Sequence, residues 1–330
     1  MSYILETNNL TKVYGRKKAL NDVSIHVEEG DIYGLVGRNG AGKTTFMKVT
    51  SGLANASSGS YSLFGKSGNE LKKSKENIGL LIEDPGLLPD INGVENLWLK
   101  CIAMGLKDKE EPKRLMELVG LGDVLKLKTK KYSFGMQQRL GLALALVGNP
   151  KLVILDEPIN GFDPQGIKSV REMILKKKSE GTTFIISSHI LGELSKISNK
   201  YGFINNGGLI EESTSEELIS KCKSKIELIP SDVPKACTII ENIGFKEYKV
   251  KDGGVIHIYD QIDRTGDITN ALAKESVATI EICKKYESLE DYYVNLVGNG
   301  GKEGQKCSEY LRWSSEGCLR PVAFTPFLQF

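Results

Sequence analysis

The sequence has no apolar run long enough to cross a bilayer. Runs such as Leu152-Val153-Ile154-Leu155 and Phe184-Ile185-Ile186 fall far short of the ~20 residues that a transmembrane helix needs. The first residues, Met1 to Asn9, lack a basic start and an apolar signal core, so secretion is not expected. Cysteine is sparse: six residues, at positions 101, 222, 237, 283, 307 and 318, show no metal-ligand spacing. They read as unpaired thiols of a reducing compartment, the cytosol, and not as a disulfide framework. Charge of one sign is also lacking, since basic and acidic residues leave a net +2. No nucleic-acid partner is therefore expected. No internal repeat of fixed period is visible, which argues against a tandem array. With 330 residues, the chain has room for a proper core and for two or three domains.

What the chain does have is the stretch Ile32 to Thr45, IYGLVGRNGAGKTT. An apolar strand runs into a glycine-rich loop, and Lys-Thr-Thr opens a helix. The spacing from Gly37 through Gly42 to Lys43 and Thr44 fits a phosphate-binding loop. Glycines let successive backbone N–H groups turn inward and approach phosphate oxygens, and the helix start points partial positive charge at the same anion. Gly37, Arg38, Asn39, Gly40, Ala41, Gly42, Lys43, Thr44 and Thr45 are thus candidate nucleotide-binding residues. Lys43 is expected to reach the β and γ phosphates, and the Thr44 hydroxyl to ligate Mg²⁺.

Along the chain, Tyr3 to Asn9 and Ala19 to Val27 read as strands, separated by a turn over Leu10 to Gly15 that leaves Tyr14 on a loop. Ile78 to Ile82 is an apolar strand that stops at Glu83-Asp84-Pro85-Gly86. Helical patterns follow over Asn92 to Gly105, Glu110 to Gly120 and Gly135 to Val147, the last with Ser133 as N-cap. Leu152 to Leu155 and Thr182 to Ser187 read as buried strands on either side of a helix over Gly166 to Ser179. This alternation predicts a largely parallel sheet. The strand at Leu152 ends in Asp156-Glu157. By itself an acidic strand end is common. Beside a phosphate loop, Asp156 is the carboxylate that orders the Mg²⁺ shell, and Glu157 the base that polarises an attacking water.

Between these motifs lies Tyr132-Ser133-Phe134-Gly135-Met136-Gln137-Gln138-Arg139. It resembles the Leu-Ser-Gly-Gly-Gln signature of ABC (ATP-binding cassette) ATPases, with Phe134 and Met136 replacing a Gly and a Gln. The resemblance covers residues 2 to about 215 in the family's motif order. It implies that the nucleotide is ATP, that Tyr14 stacks on adenine, and that Asp163, in Asn160-Gly161-Phe162-Asp163, lies along a dimer interface. It also implies that His189 contacts the γ phosphate, and that Ser133 and Gly135 close over the ATP held by a second copy. One position departs from the pattern: Glu83 stands where most of the family has Gln at the metal and water site. A further carboxylate near a triphosphate is unfavourable unless Mg²⁺ lies between them, so Glu83 is a candidate ligand of both. The Glu-x-Pro-Gly sequence here resembles the bacitracin-type and lantibiotic-type peptide export or immunity subgroup.

The expected fold is α/β: residues 1–221 form a P-loop cassette with an antiparallel β part and a helical insert over about 84–148. Residues 222–297 form a small α+β extension, with a strand over Val255 to Tyr259 and a helix over Glu287 to Leu296. Residues 298–330 show no period and predict a tail that is disordered or unrelated to the fold; a Cys307–Cys318 pair is not expected there. The resemblance implies an ATPase at the cytoplasmic face of the membrane, attached to a separate permease. In this family a short permease helix docks beside the helical insert, here Glu83 to about Lys100, with Leu87 and Leu88 expected to be exposed. Leu97 and Trp98 are as readily core as surface. The alternative is a soluble ABC ATPase acting on ribosomes or DNA, which fits poorly with a single cassette and no sustained heptads. A module that clamps without hydrolysis is opposed by the presence of both Glu157 and His189.

Overall fold

Val23, Ile25 and Val27 are buried while Ser24, His26 and Glu28 are only partly covered, which is how strand alternation reads when one face meets a core. The computed structural model of the chain describes residues 3–222, 224–286 and 289–299. The antiparallel part is made of β1 (Tyr3–Tyr14), β2 (Lys17–Val23) and β3 (His26–Glu28). Next come β4 (Ile32–Val36), α1 (Lys43–Thr50), β5 (Ser58–Leu63) and β6 (Lys66–Ser67). These place β1 between β2 and β5, with β3 also paired to β1. The turn expected over Leu10 to Gly15 is shorter than that. Register shifts after Leu10 and Lys12 carry β1 on to Tyr14, which pairs with Lys17 across a tight turn. Gly15 supplies the φ of 58° that such a turn needs.

The second sheet holds β7 (Ile78–Leu81), β8 (Leu152–Asp156), β9 (Thr183–Ser188), β10 (Lys200–Asn205) and β11 (Gly208–Thr214). Its order is β11-β10-β4-β9-β8-β7, and only the β10–β11 pair is antiparallel. Strands β8 and β9 are buried along nearly their whole length, with apolar residues at their centres, because both faces are covered, as parallel sheets require. Between β7 and β8 lie α2 (Gly93–Ala103), α3 (Glu111–Leu118) and α4 (Phe134–Leu146). Asn92 caps α2 in a reciprocal capping box with Glu95, and Ser133 caps α4. Helices α5 (Pro164–Ser179), α6 (Leu191–Leu194) and α7 (Ser215–Lys221) complete this part.

A third sheet follows. Strand β12 (Ser224–Pro230), helix α8 (Val233–Asn242), β13 (Tyr248–Val250), β14 (Ile256–Ile258), α9 (Thr265–Lys274) and β15 (Thr279–Tyr286) alternate as βαββαβ. The strand order β13-β14-β12-β15, antiparallel throughout, is that of a ferredoxin-like unit. It has its own apolar core around Leu228, Ile240, Phe245 and Leu272. The last described helix, α10 (Leu289–Asn299), does not join that core. Its Leu289, Tyr292, Tyr293 and Leu296, spaced along one helix face, pack against the cassette's main apolar cluster. Helix α10 takes in residues 298 and 299, and the remainder of the expected tail, with Cys307 and Cys318, lies outside the described residues.

Candidate nucleotide-binding site

Parallel strands present their carboxyl ends at one edge of a sheet, and the loops leaving that edge form a crevice. Here β4 delivers the Gly37–Thr45 loop, β8 delivers Asp156 and Glu157, and β9 delivers Ser187, Ser188 and His189. The registers Val36↔Ser188 and Asp156↔Ser187 hold these three ends level. The loop lines a cleft of about 470 Å³ with Lys17, Lys18, Glu157, Asn206 and Gly207.

Within the loop, Gly42 takes a φ of 116° directly before α1, and a Cβ there would lie 2.7 Å from the Ala19 carbonyl. A Cβ on Gly37 would lie 2.6 Å from the Ile204 carbonyl. Close backbone approach therefore requires glycine at both positions, and at Gly42 the conformation does too. Lys43 is buried and donates to the Gly37 carbonyl at 2.7 Å, with Glu157 Oε1 at 3.1 Å. Thr44 Oγ1 donates to Asp156 Oδ2 at 2.6 Å, and Ser187 Oγ donates to Asp156 Oδ1 at 2.5 Å. The Ser187 hydroxyl also accepts from the Glu157 N–H at 2.9 Å. Glu157 has a left-handed backbone, φ 49°, and its Oε2 lies 2.9 Å from His189 Nδ1. Glu157 Oε1 is buried, with the Lys43 ammonium as its ionic partner. Thr44 and Asp156 together offer oxygen donors only, which suits Mg²⁺.

The structure therefore gathers Lys43, Thr44, Asp156, Glu157 and His189 into one contact network. It does not bring the other expected residues to it. Glu83 is mostly exposed, with φ 61°, and its carboxylate pairs with Lys48 at 2.7 Å. Its carboxylate therefore meets Lys48 on α1, while the Asp156 carboxylate is held by Thr44 and Ser187. Tyr14 is exposed with Lys12 Nζ 4.8 Å from its ring centre, and it is the neighbouring Lys17 that lines the cleft. Asp163 caps α5 by accepting from the Gly166 N–H at 2.8 Å. Ser133 caps α4, accepting from Met136 N–H at 3.3 Å, and with exposed Phe134 it stands outside its own chain's cleft.

The sequence reading missed the linking role of Ser187. Its signal was faint: a polar pair ends an otherwise apolar strand beside another that ends in acids. A second cleft, about 410 Å³, lies between β7 and the helical insert and includes Leu53, Leu88, Leu99 and Lys100. Leu88 is 52% and Leu99 46% exposed. Leu97 is fully buried, and Leu87, expected to be exposed, is half-buried against the main core together with Trp98. Burial pushes the Lys100 amine below its ordinary value, and it donates to the Leu144 carbonyl at 2.7 Å.

Comparison with known proteins agrees with this geometry. Residues 20–160 match the family model described as ABC transporter. The bacitracin transport ATP-binding protein BcrA of Bacillus licheniformis is 38% identical over 305 residues, covering 91% of this chain and 99% of that protein. The lantibiotic transport ATP-binding protein SrtF of Streptococcus pyogenes is 42% identical over 211 residues, covering 63% and 90%. Among solved structures, the ADP conformation of the ATP-binding cassette MJ1267 superposes with a TM-score of 0.59 at 28% identity, covering 66% of this chain and 93% of that one. The chain belongs to the ABC transporter family, as one of its ATP-binding subunits.

Proposed function

We propose that the chain is the ATP-hydrolysing subunit of a transporter that exports, or gives resistance to, a peptide-type antimicrobial through a separate permease. The observation that carries the hydrolytic part is the convergence of Lys43, Thr44, Asp156, Glu157 and His189 at the carboxyl edge of one parallel sheet. The substrate class is supported by the relatives named for bacitracin and lantibiotic transport, one of them alike over nearly its whole length. Residues 1–221 would be the catalytic cassette and 222–297 the extension, a division that the separate apolar core of the third sheet favours.

Loop N–H groups and α1 bind the phosphates, and Lys43 exchanges Glu157 for the β and γ oxygens. Thr44 and Asp156 would hold Mg²⁺, which would supply positive charge to offset the phosphates. Glu157 then orients the attacking water, with His189 fixing its carboxylate and Ser187 its main chain. Tyr14 stacks on the adenine. Because Ser133 and Gly135 lie outside their own cleft, they act on ATP held by a second copy, with Asp163 along the same interface. Among the described residues no helix is long and apolar enough to cross a membrane, so the transport path is assigned to the permease, on whose cytoplasmic side the subunit would sit.

The test is expression with its co-purifying membrane protein in a bacitracin- and lantibiotic-sensitive bacterium. Wild type should raise the inhibitory concentration of one of these peptides, and Glu157→Gln should not. The purified variant should still bind ATP, as a trapped dimer, with steady-state turnover reduced at least about a hundredfold. Normal turnover by Glu157→Gln would remove it as the base. Full ATPase activity without any peptide resistance would leave the enzyme reading intact and overturn the substrate class.

A further inference from the structure

The phosphate loop is held at its entry by a residue from the far end of the chain. Arg38 is the loop's second residue, and its N–H donates to the Tyr293 hydroxyl on α10 at 3.1 Å. The Arg38 carbonyl accepts from the Ala41 N–H at 3.0 Å and lies 3.5 Å from Lys43 Nζ. Arg38 is therefore tied on both sides, inward to the catalytic lysine and outward to Tyr293. Helix α10 is itself well anchored. The Tyr293 ring stacks on buried Phe203 at 5.9 Å, with an interplanar angle of 24°. The neighbouring Tyr292 hydroxyl donates to Glu211 Oε2 at 2.8 Å. The same helix contacts α6, which follows His189.

A glycine-rich loop loses much conformational freedom when its N–H groups are ordered around an anion. A contact that restrains it beforehand lowers that cost and so strengthens binding. Tyr293 has the geometry for this: a rigid ring clamped on the sheet, presenting one acceptor to one loop N–H. We infer that Tyr293 is a positioning residue for ATP binding, through which the C-terminal segment forms part of the nucleotide site. This rests on the reading of Gly37–Thr45 as the phosphate site. It gives the chain beyond the cassette a role at the phosphate loop that its sequence pattern did not suggest.

The decisive variant is Tyr293→Phe in the full chain, because it keeps the ring on Phe203 and removes only the hydroxyl. ATP affinity, read by equilibrium titration, should fall about fivefold, the size of one neutral hydrogen bond. KM should rise by a similar factor, while kcat at saturating ATP stays within about twofold. Tyr292→Phe is the control, since it loses a neighbouring hydroxyl that donates to Glu211. It should cost thermal stability without changing ATP affinity. Wild-type or tighter ATP binding by Tyr293→Phe, or equal weakening in both variants, overturns the inference. Lys43→Ala separates the two readings: unchanged ATP affinity in that variant would instead overturn the phosphate site itself.

Discussion

The Ser187 hydroxyl joins the two acidic residues of the site. It donates to Asp156 and accepts from the Glu157 main chain, and it is fully buried in β9. Replacing it with Ala leaves the Glu157 N–H and one Asp156 oxygen without that partner. An unsatisfied buried group costs about 1–3 kcal/mol, so urea unfolding of Ser187→Ala should show a loss in this range. The larger effect belongs to chemistry. With Glu157 less firmly placed, kcat should fall by about an order of magnitude while ATP affinity changes little. Steady-state ATPase assays combined with nucleotide titration separate these outcomes. An unchanged kcat would reduce Ser187 to a structural hydroxyl. The outward pairing of Glu83 with Lys48 is decided at this same scale, by the left-handed φ at a strand end.

At the scale of elements, β7 and α4 meet so closely that only glycine fits between them. A Cβ on Gly79 would lie 1.8 Å from the Ala145 carbonyl and 3.0 Å from the Pro150 ring. Both nearest atoms at the first contact belong to helix backbone, which cannot swing aside as a flexible side chain can. Gly79→Ala should therefore destabilise the fold by about 3 kcal/mol or more, the upper range for overpacking. The shift in denaturation midpoint measures it, and a near-neutral result would show that β7 can slide relative to the sheet. Strand β7 leads into the Asp84–Pro85–Gly86 wall of the second cleft, which Leu144 of α4 also lines.

For the whole molecule, we propose the second cleft as the docking surface for a permease helix. Exposed Leu88 and Leu99 flank it, and Leu53 stands at its margin. Anchors of this kind contribute about 2 kcal/mol or more when they are binding hot spots. Changing Leu88 and Leu99 together to Ser should leave ATP binding and thermal stability nearly unchanged while breaking co-purification with the permease. Leu87 is a poorer choice for that test, since it packs on the core and its loss would confound docking with stability. If the double variant still co-purifies and supports transport, the permease docks on another face.

Several parts were legible in the sequence because their information is local. The phosphate loop, the Asp156-Glu157 strand end and the capped start of α4 each rest on residues a few positions apart, where spacing and residue type dictate the backbone. The α/β class followed from alternating periods. What depended on strand order and register was not visible. Ser187 acquires its partners only because β9 lies between β4 and β8. Tyr14 ends a strand because bulges carry β1 past the expected turn. Leu87 is covered and Leu88 is not because one backbone path decides which neighbour meets the core. The contact between Tyr293 and Arg38 spans 255 positions, and no local propensity encodes such a distance. Periodicity marks the apolar face of α10 but cannot say which surface receives it. That was decided by tertiary packing, in which Phe203 on β10 lay open to be covered.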